Sequence, residues 1–153
     1  MTALPPLAYC SLMNKRSRQA ETVVFSLLGA AQVVEARLEA ALGGVGLSLA
    51  KAGVLRYLAE AREPLPLSEL AKHQKCVRSN ITQLVDRLER DGLVRRRADP
   101  ADRRSVRAAL TPRGVRAHAR ALRVLAAEQR VIARALSARD AATLAGALAS
   151  LVA

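Results

Sequence analysis

Asn80, Gln83, Arg87 and Arg90 recur at i, i+3, i+7 and i+10 of residues 78–90, which sets their side chains along one side of an α-helix. Ile81, Leu84, Val85 and Leu88 fall at i, i+3, i+4 and i+7 and form an apolar stripe on the other side. Such a helix can bury one face and offer amides and guanidinium groups on the other. Those groups match adenine and guanine edges in the DNA major groove. The spacing therefore predicts a recognition helix. An ordinary amphipathic surface helix is the competing reading, and residues 78–90 by themselves do not separate the two.

The chain that follows separates them. Asp91-Gly92 is a helix stop, with glycine free to take the left-handed conformation and Leu93 placed to pack back on Leu88. Residues 94–98 and 105–110 have strand character, the second alternating Val106, Ala108 and Leu110 with Ser105, Arg107 and Ala109. Asp99-Pro100-Ala101-Asp102-Arg103-Arg104 joins them, a polar stretch of hairpin-loop length. A basic two-stranded ribbon thus follows the candidate recognition helix directly.

Four motifs occur in order: Thr82-Gln83-Leu84-Val85-Asp86-Arg87-Leu88-Glu89, Gly92-Leu93-Val94, Asp99 to Arg104, and Leu110-Thr111-Pro112. With Leu67-Ser68-Glu69-Leu70-Ala71 upstream, the chain from about residue 48 to 116 resembles the winged helix-turn-helix of the MarR family of bacterial transcription regulators. The resemblance implies a mainly α fold: a winged helix-turn-helix with a two-stranded wing at about 48–116, flanked by dimerisation helices at about 1–47 and 117–153. It also implies a homodimeric, ligand-responsive repressor of an inverted-repeat operator, working in the bacterial cytoplasm and on the nucleoid. Small phenolic or anionic effectors bind such relatives between the dimer helices and the DNA module. At the wing tip the resemblance suggests Arg103 for the minor groove, with Arg104 as substitute and Asp102 as support.

The remaining residues of the module divide by chemistry. Arg78, Ser79, Asn80 and Gln83 occupy the first turns of the helix, the part that reaches base edges in this motif. Ser68, Thr82, Arg95 and Arg96 are candidates for phosphate contacts, which hold register and carry salt dependence. Arg87 and Arg90 have Asp86 and Glu89 nearby and could instead be surface ion pairs. The family pattern fails just before the helix, at Gln74-Lys75-Cys76-Val77, because Val77 has no side-chain oxygen to cap with. A later start capped by Ser79 is the alternative.

Composition agrees with a polyanionic partner, most simply double-stranded DNA. The 153 residues carry a net charge of +12, and residues 78–116 hold 11 arginines against 5 carboxylates. Half of the excess charge therefore lies in about a quarter of the chain. A general preference for arginine over lysine explains the residue type but not the clustering.

The flanks read as helices. Helix 1 is expected over about 17–42, ended by Gly43-Gly44; Ser48 caps helix 2, which Pro64 and Pro66 end; Ser68 caps helix 3. Thr111-Pro112 opens helix 5, with Val115, Leu122, Leu125 and Ile132 on one stripe, and Ser137 with Asp140 opens helix 6, where Leu144, Leu148 and Leu151 share a face. These apolar stripes need covering, and a twofold dimer is the economical cover. Such a dimer would set two recognition helices roughly 34 Å apart, one turn of duplex. Residues 15–31 superficially copy a signal peptide, but their apolar register continues through Val34, Leu38 and Leu42, so a dimer helix is the expectation. No apolar run reaches membrane-spanning length.

Other chemistries find little support. Two cysteines are too few for a disulfide framework. Cys76 fits a small apolar slot in the turn, and Cys10 lies in an N-terminal arm; a thiol-based redox sensor using either is the alternative within the same class. A winged-helix protein-interaction module without DNA reading is the alternative outside it. His73 and His118 have no metal or triad spacing, and Gly43-Gly44-Val45-Gly46 reads as an interhelical turn. No enzyme activity, cofactor or metal is expected.

Overall fold

The computed structural model describes residues 15–74, 77–99 and 105–152. Their order is α1 (Lys15–Gly43), α2 (Leu49–Ala61), β1 (Leu65–Pro66), α3 (Leu67–His73), α4 (Arg78–Arg90), β2 (Val94–Ala98), β3 (Val106–Leu110), α5 (Pro112–Ala133) and α6 (Ala138–Val152). The chain divides into two units, residues 1–36 and 37–153. In the first unit the described part is helical, and Val23, Val24, Phe25, Leu28 and Val33 all stand in water.

The second unit holds the core. Leu55, Leu58, Leu70, Ile81, Val85, Leu88, Leu93 and Val94 are buried together, so α2, α3, α4 and the start of the ribbon close around one another. Caps set the boundaries. The Ser48 hydroxyl accepts the Lys51 N–H at 3.2 Å, and a Glu39 carboxylate oxygen accepts the Leu49 N–H at 2.7 Å, so two of the orphan donors at the start of α2 are satisfied. Thr111 caps α5 by accepting the Gly114 N–H at 3.0 Å, with Pro112 in the first turn as expected. Ser137 and Asp140 form the expected pair at the start of α6.

Two expectations need correction, and the burial on α5 adds a third finding. The wing is part of a three-stranded antiparallel sheet ordered β1-β3-β2, because Leu65 and Pro66 pair with Ala108 and Arg107. Two residues, one of them proline, carry no periodic signal. As the central strand, β3 meets α2, α3 and α5, and Ala108 and Ala109 are both buried, so its expected alternation is lost. Ser68 is not a cap: α3 opens at Leu67 after Pro66, with no side-chain cap bond, and Ser68 lies exposed in the first turn. On α5 the residues buried within the chain are Gly114, Ala117 and Ala121, whereas Val115 and Leu122 of the predicted stripe remain about half exposed. Small residues let α5 approach closely, and of the large ones Leu125 packs against the same core.

Candidate nucleic-acid interface

Helix α4 keeps the two faces that its sequence prescribes. Ile81, Val85 and Leu88 are fully buried and Leu84 packs against the same core. Across the helix, Ser79, Asn80, Gln83, Arg87 and Arg90 are exposed. Asn80, Gln83 and Arg87 border one open cleft of about 330 Å³ together with Ala50 of α2 and Gln74 at the end of α3, which places three amides and a guanidinium on a common surface. The helix begins at Arg78, with Val77 as a cap position that makes no side-chain bond, so the later start capped by Ser79 does not occur. Arg78 is therefore the first helical residue. Thr82 is half-buried.

The far end of α4 is locked by backbone geometry. Gly92 has φ +68°, and the Leu93 N–H reaches the Leu88 carbonyl at 2.9 Å while the Gly92 N–H reaches Glu89 at 2.9 Å. This is the paired-bond stop that a left-handed glycine permits, and it brings Leu93 onto Leu88. The Thr111 hydroxyl donates to the Gly92 carbonyl at 2.7 Å, and the Thr111 N–H to Leu93 at 3.1 Å, so the turn after α4 is fastened to the start of α5. Lys51 and Asp91 pair at 2.7 Å and fasten the same corner to α2. The orientation of α4 is thus fixed at its C-terminal end. The polar face at its N-terminal end stays exposed.

Strand β2 carries three arginines in a row with different surroundings. Arg96 is turned onto α4: its guanidinium meets Asp86, lies 3.6 Å from Glu89, and donates to the Thr82 carbonyl at 3.2 Å. The Arg96 N–H adds a bond to Glu89 at 3.0 Å. Arg96 is therefore a brace between ribbon and helix. Reaching a phosphate would break several of these bonds. It also answers the question over Arg87 and Arg90: the carboxylates near them are taken by Arg96, and both arginines stand exposed. Arg95 and Arg97 project to the opposite face of the ribbon, as alternation requires, and among the described residues no carboxylate pairs with either.

The base of the wing shows a support that sequence reasoning missed. Asp99 is buried and accepts from Arg107 Nε at 2.7 Å, and Arg107 also donates to the Pro64 carbonyl at 3.2 Å. A buried carboxylate is costly unless paired, so this bond holds the two ends of the hairpin together and ties them to β1. The available signal was an acid and a base flanking the turn eight residues apart. Asp102, Arg103 and Arg104 of the wing tip lie outside the described residues, as do Cys76 and Cys10. Arg78 is described as a helical position only.

Comparison with known proteins fits this geometry. A sequence model of the MarR family matches residues 47–106. Sco3205 of Streptomyces coelicolor, a MarR family transcriptional regulator whose structure was solved in complex with DNA, superposes with a TM-score of 0.77 at 30% identity, over 86% of this chain and 88% of that one. The chain belongs to the MarR family. Another solved MarR-like fold, the transcriptional repressor CouR bound to a 23-mer DNA duplex, matches with a TM-score of 0.79 at 27% identity, over 91% of this chain and 98% of that one. The HTH-type transcriptional repressor YetL of Bacillus subtilis is 38% identical over 78 residues, 50% of this MarR chain and 47% of YetL. This chain thus spans about half or less of the length of the curated relatives it matches. Among the described residues of this MarR protein, no helix is long and apolar enough to cross a membrane.

Proposed function

We propose that this protein is a DNA-binding transcriptional regulator, acting as a homodimeric, ligand-responsive repressor at an inverted-repeat operator. The observation that carries the proposal is the exposed amide and guanidinium face of α4, held rigidly at its other end and flanked by a cationic ribbon. In this reading Arg78, Ser79, Asn80 and Gln83 read base edges, because the start of a recognition helix enters the major groove. Ser68, Thr82 and Arg95 contact the backbone, with Arg96 at the ribbon beside them, and at the wing tip Arg103, or Arg104 in its place, enters the minor groove with Asp102 as its support. Support comes from two relatives of the same fold that were solved with DNA.

Residues 48–116 form the DNA module in this proposal, and the flanking helices form the dimer. Leu144, Leu148 and Leu151 on α6 are each more than a third exposed, as are Val131 and Leu136. A second copy is the cover that would also duplicate α4 for a symmetric operator. An effector has room between α2 and α5, where a cavity of about 180 Å³ is lined by Leu49, Gly53, Arg56, His118 and Leu122. It would act by binding one dimer shape more tightly than the other.

Selection from a random duplex pool tests the proposal. Enrichment of an inverted repeat with half-sites one helical turn apart is expected. A pool that stays featureless after repeated rounds would contradict it.

A further inference from the structure

On the ribbon face away from α4, Arg95 and Arg97 look into an open cavity of about 370 Å³, and Arg62 at the end of α2 lines it from the other side. The volume lies at the low end of the range for small-molecule sites, roughly 300–1,000 Å³. Its floor is apolar: Leu58 and Ala109 are both buried. Glu63 is the single carboxylate in the lining, so three guanidinium groups face one negative charge. Among the described residues none of the three arginines has an ion-pair partner. Arg62 stands out independently. At φ 57° it is the one non-glycine residue with positive φ among those described, in a post-helical position where glycine or asparagine is the relaxed choice. Backbone strain of this kind concentrates where a side chain must be aimed.

We propose that this cavity binds a small organic dianion, a phosphate monoester or a dicarboxylate, through Arg62, Arg95 and Arg97. The excess of two positive charges matches a doubly charged head, and paired guanidinium forks suit its planar or tetrahedral oxygens. The apolar floor takes a short hydrocarbon or aromatic body. The site is separate from the cleft on α4 and from the space between α2 and α5; it shares Arg95 with the proposed backbone contacts, whereas Arg62 and Arg97 have no part in them and test the site whether or not the protein reads DNA.

Calorimetric titration of the full chain, without DNA, tests the site. Phenyl phosphate should bind saturably and more tightly than inorganic phosphate, and acetate should not bind; succinate in a parallel arm distinguishes the dicarboxylate source by binding more tightly than phenyl phosphate. Arg62→Gly and Arg97→Ala should each weaken the tighter probe about tenfold or more, the loss expected for a bond to a charged group. Arg62→Gly should leave the thermal midpoint unchanged or raised, because glycine relieves the positive φ. A merely structural Arg62 would not give that combination. Absence of saturable binding by every probe, or equal affinities in the wild type and both variants, would overturn the proposal. Equal affinities together with a drop in duplex binding would assign these arginines to the DNA backbone.

Discussion

Helices α4 and α6 both carry a leucine-rich stripe at helical spacing, yet their fates in the folded chain are opposite. Ile81, Val85 and Leu88 of α4 are wholly shielded from water, whereas Leu144, Leu148 and Leu151 of α6 keep 43%, 37% and 70% of their surface exposed. The same pattern therefore serves two ends. In α4 it docks the helix inside its own chain and leaves the opposite face polar; in α6 it presents an apolar surface that the described residues leave exposed. An amphipathic stripe tells that a face will be covered, not by what.

The difference can be broken by substitution. Leu88→Ala should have the largest effect, a loss of about 2–5 kcal/mol, because a fully buried leucine leaves a cavity as well as losing its transfer energy. Urea unfolding of the purified protein measures it. A loss under about 1 kcal/mol would mean that the α4 stripe is not the closed core described above. Gly114→Ala should come next, at about 1–3 kcal/mol. A Cβ there would lie 2.0 Å from the Leu93 carbonyl oxygen, a backbone atom with little freedom to yield. The same unfolding experiment checks it, and a neutral result would show that α5 docks less closely on the turn after α4. Leu148→Glu should have the smallest effect on the isolated subunit, within about 0.5 kcal/mol, because its side chain is not enclosed there. Its effect should appear in sedimentation instead, as a shift from dimer to monomer. If Leu148→Glu unfolded the subunit as severely as Leu88→Ala, the contrast between the two helices would fail.

What the sequence made legible follows from how local the physics is. The stripe of α4, the glycine stop at Gly92, the Ser48 and Thr111 caps and both ribbon strands depend on neighbours within a few residues, and each was predicted within a residue or two. Strand β1 was not, because its pairing with Ala108 and Arg107 bridges about forty residues and leaves no period in Leu65-Pro66. By type and place alone Arg96 suits a phosphate contact. Only folding brings it against Asp86 and Glu89. In the sequence Arg107 is likewise one more cation of a basic ribbon, and its bond to buried Asp99 depends on how the hairpin closes. Arg62 was invisible, since arginine carries no sequence signal for a left-handed backbone. Of the candidate site, the face of α4 was legible and the division of labour on β2 was not.

The measurement that bears most directly on the account compares duplex binding by the wild type, Asn80→Ala and Arg95→Ala across a salt series, using a selected duplex and a scrambled one. Asn80→Ala should lose about 1–3 kcal/mol on the selected duplex alone. Arg95→Ala should weaken both duplexes alike and flatten the salt slope by about one unit. Identical behaviour of the two variants, or wild-type binding indifferent to both sequence and salt, would contradict the claim that α4 reads bases while the ribbon holds the backbone.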